Sequence, residues 1–493
     1  MNTTATLMHA YRERWTSVDF ADFPAIMDHE QVLNYRELYE QVSRKAGQLR
    51  EAGVQREQLV AVAMERSLDS VLTILGLMAA GACPCPLEPR LTAAEIEARR
   101  DTVGINLVLV DTINLTAMAG LKNIRVLNMA QIPAAEPFWS DDLRLQDPGL
   151  LLFTSGSTGR PKGVKISHGG LLNNALGVQH VTQLTRDDRL LHLMPLYHTN
   201  GLNNQLFTPL LAGAQVALAG RFKADQVPAL MQKFEPTIIT GVPTMYSRML
   251  DHAFTQETLQ KLRFARCGSA PITPELHKRI EQHLGCPLVV SYGLSEATCT
   301  STINPPEARK IGAIGKALPY QKVYLRDADG HVITDPNKNG EICIEGDSLM
   351  LGYVGVEKDG QLSPQGPVLP TGDVAYFDEE GYFFITGRLK DVIIRGGENI
   401  SPGIIENVIN QDPAVKASCV LGKPHHDLGE VPVGFVVPTS GAQLDPQTIQ
   451  QRVSQMLSRT YWLDEVYVVD ALPENSVGKV DKKKLREMFA QVA

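Results

Sequence analysis

Apolar and polar positions follow a repeating helix-then-strand pattern along most of the chain. Asn34 and Glu37 stand three apart ahead of Leu38, Val42 and Leu49, the start signal and buried face of an amphipathic helix that Gly53 stops. The short apolar residues at 59–64 then read as a buried strand. Thr92 with Glu95 repeats the start signal, and 107–110 repeats the strand. Further apolar strand segments fall at 150–153, 190–194, 216–219, 237–240 and 288–291, with helical patterns between them. Strands that are apolar throughout and alternate with helices predict largely parallel sheets covered by helices.

Beyond Gly387 the pattern changes. Short strands at 392–395, 415–421, 433–437 and 465–469 surround two helical patterns, which predicts a small α+β unit. The polar segment Gly387-Arg388-Leu389-Lys390-Asp391 follows a strand and suits a joint that absorbs a large dihedral change. The expected architecture is a large α/β N-terminal domain over 1–387 and a small mobile α+β domain over 388–493. The large one has parallel-rich sheets covered by helices, with a β-rich part. No internal repeat or low-complexity segment interrupts either.

A length of 493 residues exceeds what one core organises, which agrees with two domains. The net charge of −8 argues against nucleic acid as a partner, because such binding needs clustered Lys and Arg. Seven cysteines, at 83, 85, 267, 286, 299, 343 and 419, show no repeated pair at zinc spacing and suit a reducing compartment. Cys83 and Cys85 read as a buried strand edge. The start lacks the apolar core and cleavage site of an export signal, so a cytoplasmic location is expected. The uncharged run between Asp69 and Glu88 is broken by Pro84 and Pro86 and loosened by Gly76 and Gly81. It reads as a buried helix and a buried strand, not a membrane span.

The densest chemical signal is Thr154-Ser155-Gly156-Ser157-Thr158-Gly159-Arg160-Pro161-Lys162-Gly163, directly after an apolar strand. Backbone N–H and hydroxyl groups in such a loop can wrap phosphate oxygens, with Lys162 as a point charge. It is not the common nucleotide-triphosphatase loop, which needs Gly immediately before Lys and Ser or Thr after it. Taken alone, the segment is either a phosphate cradle or an ordinary Gly/Ser turn.

The whole string TSGSTGRPKG resembles the phosphate loop of the adenylate-forming superfamily of acyl-CoA synthetases, peptide-synthetase adenylation domains and luciferases. Similar segments follow in that family's order: PLYHTNGL at 195–202, GSAP at 268–271, SYGLSEAT at 291–298, TGD at 371–373, GRLKD at 387–391, RGGENISP at 395–402 and GK at 478–479. The wording RGGENISP is most like acyl- or aryl-CoA ligases. Ser295 stands where Thr is commoner, VLPTGD lacks a usual aromatic, and the segment near Tyr461 and Trp462 matches poorly, leaving the nucleotide end of coenzyme A without assigned contacts.

The resemblance implies a reaction in which a carboxylate and ATP give acyl-AMP and pyrophosphate, after which a thiol takes the acyl group. It implies ATP, Mg2+ and coenzyme A as the small molecules used, and a small carboxylic acid as substrate. The ATP site it implies is Thr154, Ser155, Gly156, Ser157, Thr158 and Lys162 for phosphates, Asp373 and Arg388 for ribose, and Gly268, Ser269, Ala270, Tyr292, Gly293 and Ser295 around the base. Glu296 is implied as the Mg2+ ligand, and Lys479 as the cation between attacking carboxylate and α-phosphate. Lys482, Lys483 and Lys484, beside it, read as a solvated surface. Lys390 is implied as the hinge, and Gly396 and Gly397 as the lining of a thiol tunnel. His198 either lines or gates the acid pocket or is a hydrogen-bonded core histidine; Asn203, Gly241, Gly268 and Gly293 join it as pocket candidates.

Two other readings share this sequence. An adenylating enzyme that loads an acyl carrier protein has the same first half-reaction, and a nucleotide-binding regulator would not need Lys162, Glu296 and Lys479 together. The stretch 190–220 holds no Lys, Arg, Asp or Glu, which disfavours a simple amino acid as substrate. Asn200, Asn203, Asn204 and Gln205 either read a hydroxyl or carbonyl on the acid or serve as caps and exposed surface.

Overall fold

The computed structural model describes residues 5–118, 120–155, 161–355, 362–395, 398–474 and 480–490. The helix after Asn34 runs Tyr35–Glu51, with Asn34 accepting from the Glu37 N–H and Glu37 reaching back to the Asn34 N–H, so both ends of the capping box close. Thr92 and Glu95 do the same for Ala93–Val103, which ends on Gly104 at φ +79°. The uncharged run becomes the buried helix Leu68–Ala79 and the edge strand Cys83–Pro86. A helix absent from the sequence reading, Leu7–Trp15, is also integral. The Tyr11 hydroxyl donates to Phe207 O at 2.8 Å and the Trp15 indole to Leu210 O at 3.2 Å.

The largest sheet has nine strands. Six of them, Leu288–Tyr292, Phe264–Cys267, Ile238–Gly241, Arg189–His192, Gln215–Leu218 and Pro24–Met27, run parallel, with short antiparallel strands beyond each end. A four-stranded all-parallel sheet orders Cys83–Pro86, Leu59–Ala63, Leu107–Val110 and Arg125–Asn128. The β-rich part is two antiparallel sheets, one built on the hairpin Pro148–Ser155 with Pro161–Ser167, the other on Gln321–Arg326, Gly340–Gly346, Leu369–Phe377 and Phe383–Arg388.

One expected strand ends early. Arg189–His192 stops short of 194 because the Leu193 and Met194 N–H groups donate to Gln205 Oε1, at 2.8 and 3.2 Å, instead of to a neighbouring strand. The last part of the chain forms its own sheet around the long hairpin Val415–His425 with Gly429–Pro438, flanked by the helices Pro402–Ile409 and Pro446–Met456. Among the described residues, each cluster of buried apolar side chains draws either on residues up to 383 or on residues from 393 onward. No helix among the described residues is long and apolar enough to cross a membrane.

Candidate active site

The residues flanking 156–160 lie on two paired antiparallel strands. Thr154 pairs with Lys162 across the ladder and Ser155 with Pro161; Gly156, Ser157 and Thr158 lie outside the described residues. The strand Gly352–Val354 adds to this hairpin with Tyr353 opposite Val164. That register sets the Tyr353 ring 5.3 Å from Lys162 Nζ, within cation–π range. The Tyr353 hydroxyl donates to Glu296 Oε1 at 2.8 Å. Burial, then the adjacent Glu296 charge, push the Tyr353 phenol up, so it stays a donor at neutral pH. Lys162 and Glu296 therefore meet at one aromatic ring.

Glu296 sits in the single turn Ser295–Ala297, directly ahead of Thr298 at φ +68°, a conformation sparsely populated by β-branched residues. The turn is held from one side: the Thr298 hydroxyl donates to Ser348 O at 2.6 Å, and the Met350 N–H to Glu296 O at 2.8 Å. One oriented, partly exposed carboxylate beside a cation suits Mg2+, which takes one or two protein carboxylates and completes its shell with phosphate oxygens and water.

A second group forms where the strand Leu369–Phe377 pairs with Phe383–Arg388. Asp373 lies opposite Arg388 in register, and the guanidinium Nε meets Asp373 Oδ1 at 2.6 Å. The Tyr292 hydroxyl donates to Asp373 Oδ2 at 2.8 Å. Asp373 is buried while Arg388 is half exposed, so the carboxylate is presented with donors on both oxygens at an accessible edge. Burial, then Asp373, hold the Tyr292 phenol well above its usual range.

Gly268, Gly293 and Gly241 bring bare backbone to this region. A Cβ on Gly293 would sit 1.7 Å from Cys299 O, and one on Gly268 would sit 3.0 Å from Ser291 Oγ. Gly268 donates its N–H to Gly241 O at 3.3 Å, which joins two neighbouring strand ends. Ser269 takes a positive φ of 67° and, like Ala270, is not buried.

His198 is half-buried, its ring 4.7 Å from that of Tyr197, in the turn that leads into Asn200–Phe207. That element is a π-helix whose eight residues are all buried and which has no side-chain cap. The amide-rich stretch is thus neither a cap nor an exposed surface. Asn203, 1% exposed, donates from Nδ2 to Asn174 Oδ1 at 2.8 Å, and its own Oδ1 has no partner. Asn204 Oδ1 accepts from the Thr300 hydroxyl at 3.1 Å. Arg266, absent from the sequence reading, reaches the same Thr300 from the strand ahead of Gly268. The signal for it was a single charged residue within the apolar string FARC.

Lys390 is exposed at the end of the described strand pair, and Gly396, Gly397 and Lys479 lie outside the described residues. One expectation fails here. Lys482 is not solvated surface like its neighbours Lys483 and Lys484; its Nζ meets Asp391 Oδ2 at 3.1 Å, with the lysine side chain 29% exposed. The helix Lys482–Ala490 turns this first lysine inward, toward Glu406, whose carboxyl burial pushes up.

Residues 14–354 match the AMP-binding enzyme family, and residues 404–479 match the AMP-binding enzyme C-terminal domain. The feruloyl-CoA synthase of Amycolatopsis sp is 33% identical over 467 residues, covering 93% of this chain and 94% of that protein. The oxalate–CoA ligase of Arabidopsis thaliana is 30% identical over 484 residues, with coverage of 93% and 94%. The crystal structure of ATP-bound MatB from Rhodopseudomonas palustris superposes with a TM-score of 0.90 at 30% identity, covering 99% of this chain and 100% of that one.

Proposed function

The chain belongs to the AMP-binding enzyme family, and on that premise we propose that its two residue groups, one around Glu296 and one around Asp373, adenylate a small carboxylic acid for transfer to coenzyme A. The enzyme is an AMP-forming acid–CoA ligase that uses ATP, Mg2+ and coenzyme A. The observation that carries the site reading is the meeting of Lys162 and Glu296 at Tyr353. It supplies a phosphate cation and a metal-binding carboxylate from distant parts of the chain.

A carboxylate resists thiol attack because its charge is delocalised and oxide is a poor leaving group. Joining it to AMP replaces oxide with a phosphate monoester as the leaving group. In our reading Lys162 and the 154–158 loop hold the phosphates, and Glu296 anchors Mg2+, which when bound neutralises phosphate charge and orients pyrophosphate for departure. Asp373 accepts from the ribose hydroxyls and Arg388 donates to them. The backbone at Gly268, Ser269 and Ala270 approaches the base closely, and Gly293 leaves room beside Tyr292, which packs on the base. Lys479 stabilises charge that builds between carboxylate and α-phosphate only in the transition state. The thiol then reaches the acyl carbon past Gly396 and Gly397 and releases AMP.

The second step needs the small domain, proposed to begin at 388, to turn about Lys390. Two ion pairs support that position. Arg388 is tied to Asp373 on the large side and Asp391 to Lys482 on the small side, leaving Leu389 and the exposed Lys390 between the anchors. We place the enzyme in the cytoplasm, in keeping with its seven free, buried cysteines.

The test is a panel of carboxylic acids with Mg·ATP and either coenzyme A or phosphopantetheinylated carrier proteins. Acid-dependent pyrophosphate release, with AMP and an acyl-CoA thioester as products, is expected. Release coupled only to a carrier protein would replace the CoA reading, and no release with any acid would end it.

A further inference from the structure

Arg266 is a buried cation with no anionic partner among the described residues. It lies in the strand Phe264–Cys267, two residues before Gly268, and is 3% exposed. Its Nε donates to Ser291 Oγ at 3.2 Å and its Nη2 to Thr300 Oγ1 at 2.7 Å, both neutral acceptors. Burial lowers its pKa to about 10, which leaves it charged at neutral pH. Among the described residues no carboxylate forms an ion pair with it, although buried charges in proteins are ordinarily paired because leaving water unpaired is costly.

Its surroundings are polar and incompletely satisfied. Thr240 stands beside Arg266 in register, and its buried hydroxyl has no partner among the described residues. His192, on the next strand, is fully buried, held neutral by burial, which lowers its pKa to about 3, and its Nδ1 has no partner among the described residues. Asn204 accepts from Thr300 above the guanidinium, and Asn200 Nδ2 reaches Ser269 Oγ at 3.4 Å. The cluster sits at the carboxyl ends of parallel strands, where open α/β sheets bind ligands, under the π-helix and beside the bare backbone of Gly241 and Gly268. An apolar acyl chain placed here would leave these groups unpartnered.

We propose that Arg266 determines substrate specificity: the acid this enzyme activates carries a second carboxylate, which pairs with Arg266 while the reacting carboxylate faces the nucleotide. The inference rests on the ligase reading above and names the class of acid. It also accounts for the lack of any Lys, Arg, Asp or Glu between 190 and 220, since the discriminating charge comes from a different strand.

The experiment compares matched pairs on the full-length enzyme: propanoate with malonate, butanoate with succinate, pentanoate with glutarate, and benzoate with terephthalate. Pyrophosphate release and CoA thioester are both followed. In at least one pair the diacid is expected to exceed its monoacid in kcat/KM on the order of 10²-fold, and Arg266→Met to abolish that preference by lowering the diacid value alone. Arg266→Lys, which keeps the charge but not the planar fork, should retain part of it. The proposal is overturned if the wild-type enzyme favours the monoacid in every pair, or if either substitution lowers both acids equally, as a purely structural tie between Ser291 and Thr300 would. Should Arg266→Met not fold, the wild-type ratios and Arg266→Lys decide the matter. Activity with monoacids alone removes this proposal and leaves the ligase reading standing, whereas no activity with any acid removes both.

Discussion

At Glu296 the property that the proposed metal-binding role needs is a fixed negative charge. Its turn is pinned by Thr298 and Met350, and its side chain is aimed by the Tyr353 hydroxyl. Glu296→Gln keeps shape and loses charge, so acid-dependent pyrophosphate release should fall on the order of 10²-fold at saturating ATP. Tyr353→Phe removes only the aiming bond, worth about 1 kcal/mol, so it should slow release about fivefold and raise the Mg2+ concentration needed for half the maximal rate. An unchanged Mg2+ requirement in Tyr353→Phe would show that the ring is packing alone. Glu296 entered as a candidate through the segment SYGLSEAT. Tyr353 did not, because only the pairing of Gly352–Val354 with the 161–167 strand brings it there.

Among the elements, the helix Lys482–Ala490 and the short turn Leu389–Asp391 form one unit through the Lys482–Asp391 pair. Burial raises the Glu406 pKa and the Lys482 charge lowers it, and Glu406 Oε1 accepts from the Val420 N–H at 2.8 Å. Lys482→Ala should therefore destabilise the chain by about 1.5–3 kcal/mol in urea unfolding, the worth of a charge-assisted bond away from full exposure. Part of that loss is the carboxylate left without its cation, so adding Glu406→Gln should recover stability. A double variant weaker than the single would show that the two residues are not coupled. The π-helix makes the same point about elements: polar spacing left open either amides that read the acid or a capped, exposed helix start, and every residue of Asn200–Phe207 is buried.

For the molecule as a whole, one site served in turn by two faces of a mobile domain should have separable half-reactions. Lys479→Ala is expected to adenylate on the order of 10²–10³-fold more slowly yet still to form thioester from synthetic acyl-AMP, since in the proposed mechanism its ammonium serves only the first step. Gly397→Leu should release pyrophosphate and accumulate acyl-AMP, because a side chain there would fill the proposed thiol path. Lys390→Pro should resemble it, since a fixed φ between the Arg388 and Asp391 anchors hinders the turn. Single-turnover assays of each half-reaction decide this. Equal loss of both steps in Lys479→Ala would refute the alternating mechanism.

Local signals were enough for what depends on local physics. The capping boxes at Asn34 and Thr92, the apolar strands and the change of pattern beyond Gly387 could all be read from spacing, since helix starts and buried strands are set by residues a few positions apart. Motif order likewise pointed to Lys162, Glu296, Asp373 and Arg388. The sequence could not say that Lys162 and Glu296 share Tyr353, that Asp373 is bonded by both Tyr292 and Arg388, or that Lys482 turns inward. Nor could it show that Arg266 is buried with no carboxylate paired to it among the described residues, because a lone arginine in a strand looks the same whether it faces water or a closed interior. Those facts depend on strand register and sheet order, which bring together residues far apart in the chain and determine which charges lose their water.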